Sequence, residues 1–442
     1  MPERAHARSR LPQGDYPARI ESLAHDGRGV AHVDGKAVFI HGALPGEEVN
    51  FRYTARHSQY DEGRSEEIIT ASPDRVEPRC QHFDVCGGCS LQHLNHARQV
   101  ACKQDWLLDN LRRIARLSPD QVVEPLISPA WGYRHKARLG VRHVIKKGRV
   151  LVGFRERSGS FVADLRRCEV LPPRVGGLLE ELGDLASGLS VRDRLPQIEA
   201  AIGDEAAALS FRVLRLPTEA DVARLIAFGQ QHDIQIWLQA EGPETCRPLW
   251  PPQARLSYRL PEFDLEFEFF PYHFTQINPY VNRAMVAQAM AWLDLQNDDR
   301  ALDLFCGLGN FTLAMARRAQ TVVGVEGDRR LAAWAGHNAV NNGVDNARFL
   351  AADLTGEVLL EPFIGHSDKI LLDPPRSGAL AMIPRIAALK PRRVVYVSCH
   401  PATLARDAGE LAHRFGYRLR RVGMMDMFPH TAHVEAMALF ER

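Results

Sequence analysis

From about residue 271 the chain alternates short apolar runs with helical ones, and this pattern constrains the fold more than any other feature. ALDLF leads through CGLGN into the helical run FTLAMARRA, and TVVGVE precedes RRLAAWAGHNAVNNG. ARFLAAD, KILLDPP and RVVYVSC follow, the last running into a helix that begins near Pro401. Strands alternating with helices imply a parallel sheet covered on both faces. Open sheets of this kind bind ligands in the crevice outside the carboxyl ends of their strands.

The residues at those strand ends carry chemistry. In Asp303-Leu-Phe-Cys-Gly-Leu-Gly-Asn310, Gly307 and Gly309 let the backbone turn sharply between strand and helix. Glu326 closes the second strand, 23 residues after Asp303, where an acid can hold both ribose hydroxyls. Asp353 and Asp373 close the next two strands. The pattern favours a nucleoside cofactor. The third glycine of G-x-G-x-x-G is missing, which disfavours a dinucleotide pyrophosphate. The prolines after Asp373 fix the chain direction there. Cys399 sits just before a helix, whose N-terminus lowers a thiol's pKa, and is the candidate nucleophile. Glu435, an isolated acid in HTAHVEAMALF, is the candidate general base.

The rest of the chain reads differently. Residues 15–70 alternate short apolar runs with Gly and Pro turns, the pattern of a small antiparallel barrel. A helix is expected from about His93 to Arg116, with Leu107, Leu108, Leu111 and Ile114 on one side. Residues from about 125 to 270 are strand-rich. Between Trp131 and Ser160 lie nine basic residues and one acid, a footprint for polyanion binding. At 45% hydrophobic and 25% charged the composition is that of a globular protein. No secretory h-region and no membrane-spanning apolar run is visible, so a cytoplasmic protein without a membrane is expected.

In a reducing cytosol, clustered thiols read as metal ligands. Cys80, Cys86 and Cys89 form C-x5-C-x2-C, and Cys168 follows much later. Three close thiolates and one remote suit a [4Fe–4S] cluster. Zinc is the rival, but its usual spacing is two short pairs and only one is present.

Taken together, C-x5-C-x2-C with Cys168, HFTQINPYVN, DLFCGLGNFT, DPPRSG, VSCHP and HVEAMALF resemble the RNA uracil-C5 methyltransferase family that uses S-adenosylmethionine. The likeness covers essentially the whole chain and is strongest to the members that act on 23S ribosomal RNA. It implies a multidomain protein: an N-terminal OB-like β-barrel of the TRAM type (1–70), a strand-rich central domain with the iron–sulfur cluster (71–92 and 125–270), and a C-terminal Rossmann-like α/β methyltransferase domain (93–124 and 271–442). By resemblance, Cys80, Cys86, Cys89 and Cys168 hold [4Fe–4S]. Gln276, Phe305, Asn310, Glu326, Asp353 and Asp373 line the cofactor site. Cys399 is the nucleophile and Glu435 the base, in a monomer whose partner is 23S ribosomal RNA. The alternatives are tRNA methylation, a radical methylthiotransferase and a non-catalytic RNA-binding factor. The second needs C-x3-C-x2-C, which is absent here.

Overall fold

The computed structural model describes residues 11–157, 159–355 and 366–442. The chain divides into two compact units: the first takes in the N-terminal residues to Phe83 with Cys89–Cys102 and His430–Ala432, and the second takes in Asp84–Gly88, Lys103–Pro429 and His433–Arg442.

In the first unit, six strands form one sheet in the order Tyr16–Arg19, Glu48–Arg56, Tyr60–Thr70, Lys36–His41, Gly29–Val33, Ser22–Leu23. Alternating residues bury Ala31, Val38, Ile40, Val49 and Phe51 together with Ile20, as period-two strands with one covered face must. The expected all-antiparallel pairing fails at one place: Lys36–His41 runs parallel to Tyr60–Thr70.

The second unit holds a six-stranded sheet ordered Arg247–Trp250, Gln235–Gln239, Ala207–Arg212, Gln197–Ile202, Lys136–Val144, Arg149–Gly153. Its one parallel pair, Ala207–Arg212 with Gln235–Gln239, is joined by the helix Glu219–His232. That crossover helix lies inside the stretch read as strand-rich. Thr218 caps it with a capping box to Asp221, a local signal with a clear mechanism.

The expected α/β layer is present. Eight strands are ordered Ala347–Ala351, Thr321–Glu326, Arg300–Leu304, Lys369–Leu372, Arg393–Ser398, Glu435–Glu441, Arg418–Met425, Gln121–Val122. The first five are mutually parallel, and Glu435–Glu441 runs antiparallel to both of its neighbours. Strand order reverses between Arg300–Leu304 and Lys369–Leu372, so the crevice opens outside their carboxyl ends. The helix Pro279–Leu293 packs in the same core. Asn278 caps it and Pro279 fills the first turn, where no N–H partner is needed.

The helix expected near His93–Arg116 spans His96–Asn110 and ends in a π-turn, Leu111–Ala115. That wider turn breaks the 3.6 repeat, so Leu107, Leu111 and Ala115 are buried while Ile114 is 48% exposed.

The iron–sulfur expectation is overturned. Among the described residues no three His, Cys, Asp or Glu side chains gather as a group able to hold a metal ion. The Cys86 segment is bridged to Glu156, and its thiol accepts from Gly88 N at 3.4 Å. Close spacing in sequence does not by itself produce a metal-holding group among the described residues.

Candidate active site

The turn after Arg300–Leu304 is built for close approach. Phe305 has φ +67°, Gly307 +56° and Gly309 +87°, conformations that suit glycine and are strained for phenylalanine. Phe305 N holds this shape by donating to Val325 O at 2.9 Å. A Cβ at Gly309 would come within 3.4 Å of the Phe349 ring. Glu326 braces the turn: one carboxylate oxygen accepts from Gly307 N at 3.0 Å and the other from Asp328 N at 3.0 Å.

Asp303 lies beneath this turn, fully buried. Its Oδ2 accepts from the Thr312 hydroxyl at 2.5 Å, and its Oδ1 has no hydrogen-bond partner among the described residues. Burial, with the nearby Asp373 and Glu326 adding, pushes its carboxyl up to about 8. Asn310, at the end of the turn, is held by side chains of two other elements. Its Oδ1 accepts from Tyr258 OH at 3.0 Å and Asn282 Nδ2 at 3.1 Å, and its Nδ2 donates to Asn282 Oδ1 at 2.9 Å.

Across the crevice, Asp373 N donates to Leu304 O at 3.2 Å, which ties the two strand ends together. The Asp373 carboxylate accepts from Gln276 Nε2 at 3.3 Å. Burial pushes it up to about 7. Asp353 is the exception among the expected residues. It is exposed and accepts from Thr355 N and Oγ1 within its own turn, at 2.9 and 2.6 Å, and these bonds hold its carboxyl below the usual range.

The sheet register brings the two expected catalytic residues together. Ser398 pairs with Ala436, so Cys399, one residue on, stands beside Glu435, one residue back. Burial pushes the Cys399 thiol up to about 12, with Glu435 and Asp373 adding and Arg376 opposing. Glu435 is buried, and burial with Asp373 raises it well above the carboxylate range, again against Arg376. The expectation of a thiol lowered by a helix N-terminus therefore fails. At the start of the helix Pro401–Gly409, the Thr403 N–H is engaged by His400 Nδ1 at 3.4 Å. Burial and two neighbouring acids outweigh Arg376 and a backbone hydrogen bond at the thiol.

Sequence reading assigned no role to the residues that hold this cluster in place. Asp407, fully buried, accepts from Ala379 N at 2.7 Å, Tyr396 OH at 2.7 Å and Arg406 Nε at 2.8 Å. Arg406 also donates to Ser377 O at 2.8 Å, and Thr403 Oγ1 to Arg376 O at 3.2 Å. The loop bearing Asp373 and Arg376 is thereby fixed to the helix that follows Cys399. Gly378 has φ +77°, and a Cβ there would come within 2.6 Å of Asp407 Oδ2, so glycine is required. Asn282 ends the motif QINPYVN and was legible as a motif member, though its partner was not.

The basic run is less cationic in the fold than in the sequence. Lys136 is drawn in to Glu199 at 3.4 Å, and Lys147 and Arg149 share Asp164 at 2.6 and 2.7 Å. Arg142 and Lys146 remain exposed.

With this geometry in view, comparisons with known proteins decide the family. The tRNA (Uracil-5-)-methyltransferase family model matches residues 256–442, and the TRAM domain model matches residues 15–64. A 23S rRNA (uracil(1939)-C(5))-methyltransferase RlmD of Methylococcus capsulatus is 53% identical over 98% of this chain and 99% of the relative. One of Alkalilimnicola ehrlichii is 52% identical over 98% of each. The chain belongs to the 23S rRNA (uracil-C5)-methyltransferase family. Among solved structures, the Pyrococcus abyssi tRNA (uracil-54, C5)-methyltransferase bound to S-adenosyl-L-homocysteine superposes with a TM-score of 0.74 at 25% identity, over 96% of this chain and 100% of that one. No helix among the described residues is long and apolar enough to cross a membrane.

Proposed function

We propose that this protein uses S-adenosylmethionine to methylate C5 of a uridine in 23S ribosomal RNA, in the cytoplasm. The observation that carries the reading is the pairing of Cys399 and Glu435 on adjoining strand ends, at the mouth of the crevice that also holds Asp373. Near-full-length identity to 23S rRNA enzymes favours that substrate over tRNA. In this reading residues 1–70 are an RNA-binding barrel, 71–92 and 125–270 a central RNA-contacting domain, and 93–124 with 271–442 the catalytic domain.

The crevice suits a nucleoside sulfonium: a glycine turn open to close approach, Glu326 set for ribose hydroxyls, and Gln276, Phe305, Asn310 and Asp373 around it, with Asp353 at the exposed rim. S-adenosylmethionine, when bound, supplies an electrophilic methyl group. Uracil C5 is a poor nucleophile, and Cys399 changes that. The Cys399 thiol gives up its proton to solvent as its sulfur bonds to C6, and the C5–C6 electron pair moves into an enolate that makes C5 nucleophilic. After C5 is methylated, Glu435 takes the C5 proton, the C6–S bond breaks, and the thiolate leaves. Arg376 favours the ionised forms of both residues, which is what each needs to act. A strongly raised carboxyl is also a stronger base than an exposed one. C6 is stacked inside helical RNA, so the uridine is flipped into the crevice.

The test is to incubate the protein with labelled S-adenosylmethionine and either 23S rRNA or tRNA, then digest and identify the labelled nucleoside. Labelled 5-methyluridine from 23S rRNA alone is expected. Label confined to tRNA would move the assignment to tRNA, and no transfer to either would leave an RNA-binding factor.

A further inference from the structure

The strongest unassigned feature is the polar network behind Asn310. Tyr258 lies on the strand Leu256–Leu260, Asn282 on the helix Pro279–Leu293, and Asn310 at the end of the glycine turn. A side-chain amide has two acceptor sites on oxygen and two N–H donors. Both acceptor sites of Asn310 are taken, by Tyr258 OH at 3.0 Å and Asn282 Nδ2 at 3.1 Å. One donor is taken by Asn282 Oδ1 at 2.9 Å. Asn282 itself is buried and Asn310 is only partly so. The Tyr258 ring is fixed in turn by stacking flat on Phe267, centroids 4.9 Å apart at 7°. Its hydroxyl has one proton to place, and the Asn310 oxygen receives it.

We infer that Tyr258 and Asn282 are positioning residues that lock the Asn310 amide so that it offers the cofactor one N–H donor and no acceptor. Such a group selects an acceptor on the ligand. Facing the methionyl end of an amino-acid sulfonium, it takes the carboxylate as partner, while the ammonium, a donor, is turned away. The inference rests on the reading of Asn310 as a cofactor-site residue and adds which ligand atom it faces and what holds it there.

The test compares S-adenosylhomocysteine with its decarboxylated analogue, S-adenosyl-3-thiopropylamine, by calorimetry on the full chain. Wild type should prefer the carboxylate-bearing ligand. Tyr258→Phe keeps the ring stacking and removes only the hydroxyl. It should weaken S-adenosylhomocysteine by about two- to tenfold, the range of one hydrogen bond, and leave the analogue unchanged, so the preference shrinks. Asn282→Ala should do the same or more, and Asn310→Asp, which presents an acceptor, should remove the preference altogether. Equal weakening of both ligands by Tyr258→Phe, or no change in either, overturns the inference while leaving the cofactor reading intact. A wild-type protein that binds neither ligand overturns both.

Discussion

Asp221 and Asp373 are the same side chain in two regions of one unit, and they are driven in opposite directions from a common 3.8. Asp221, at the start of the helix Glu219–His232, accepts from Ser190 N at 2.9 Å, from Thr218 N at 3.0 Å and from the Ser190 hydroxyl. Burial acts to raise it, yet these donors bring it down to about 2. Among the described residues Asp373 has one side-chain donor, Gln276, at 3.3 Å, and burial takes it up to about 7. At Asp221 the donors together outweigh burial, whereas at Asp373 burial outweighs its donor. The sheet-and-helix region satisfies its carboxylates for stability. In the crevice burial prevails and raises the carboxyls of Asp303, Asp373 and Glu435, which fits acid–base work.

The contrast makes graded predictions. The largest concerns Glu435, where a neutral side chain of the same shape cannot take a proton. Glu435→Gln should lower turnover by about 10²–10⁴-fold, the usual share of a general base, with folding unaffected by circular dichroism. Turnover within a few-fold of wild type would remove Glu435 from the chemistry.

Next is Asp221→Ala, which deletes a cap and strands the Ser190 and Thr218 donors. Urea titration should show a loss of about 3 kcal/mol, from the cap and the charged hydrogen bonds together. A loss under about 0.5 kcal/mol, the level of an ordinary surface change, would break the comparison at its structural end.

Smaller still are the pH effects. The folded state keeps a proton on Asp373 that the unfolded chain has released above 3.8, so stability should fall as pH rises from 3.8 toward about 7. Asp373→Asn should flatten that fall. Asp221 has the opposite sign: its contribution is present above 3.8 and is lost as pH falls through about 2. Urea midpoints of wild type and Asp373→Asn at several pH values measure both slopes, and parallel curves would contradict the assignment.

The smallest effect is electrostatic and remote. Arg142→Ala with Lys146→Ala should reduce the salt dependence of RNA binding by about 0.7 log units per contact on single strands. Cofactor affinity should not move. An unchanged slope would assign these two cations to solvent alone.

How much of this was legible in the sequence follows from the range of each interaction. The α/β layer could be read because strand and helix periods are local, and Thr321–Glu326 forms as TVVGVE indicated. Asp303, Asp373 and Cys399 were legible because a parallel sheet forces the carboxyl ends of its strands to one edge, whereas Glu435 reaches that edge at the start of an antiparallel strand. The clamp from Asp407 to Ala379, 28 residues apart, and the Tyr258–Asn310 bond, 52 apart, were not, because neither leaves a local pattern. The helix Glu219–His232 was missed although its cap signal was present, since the flanking strands dominated the stretch. The four cysteines show the reverse error: spacing suggested a ligand set that the fold does not assemble. The thiol of Cys399 was misjudged because a helix terminus is visible in sequence and two buried acids beside it are not.

The central claim is that Cys399 and Glu435 act in successive steps on one uracil, and trapping tests it most directly. Each variant is incubated with 23S rRNA and S-adenosylmethionine labelled in its methyl group, then run on a denaturing gel. Glu435→Gln should still allow attack and methyl transfer but stall elimination, so the label should migrate with a protein–RNA adduct. Cys399→Ala should give neither adduct nor methylated RNA. A labelled adduct from Cys399→Ala, or rapid release of free methylated RNA from Glu435→Gln, would contradict the account.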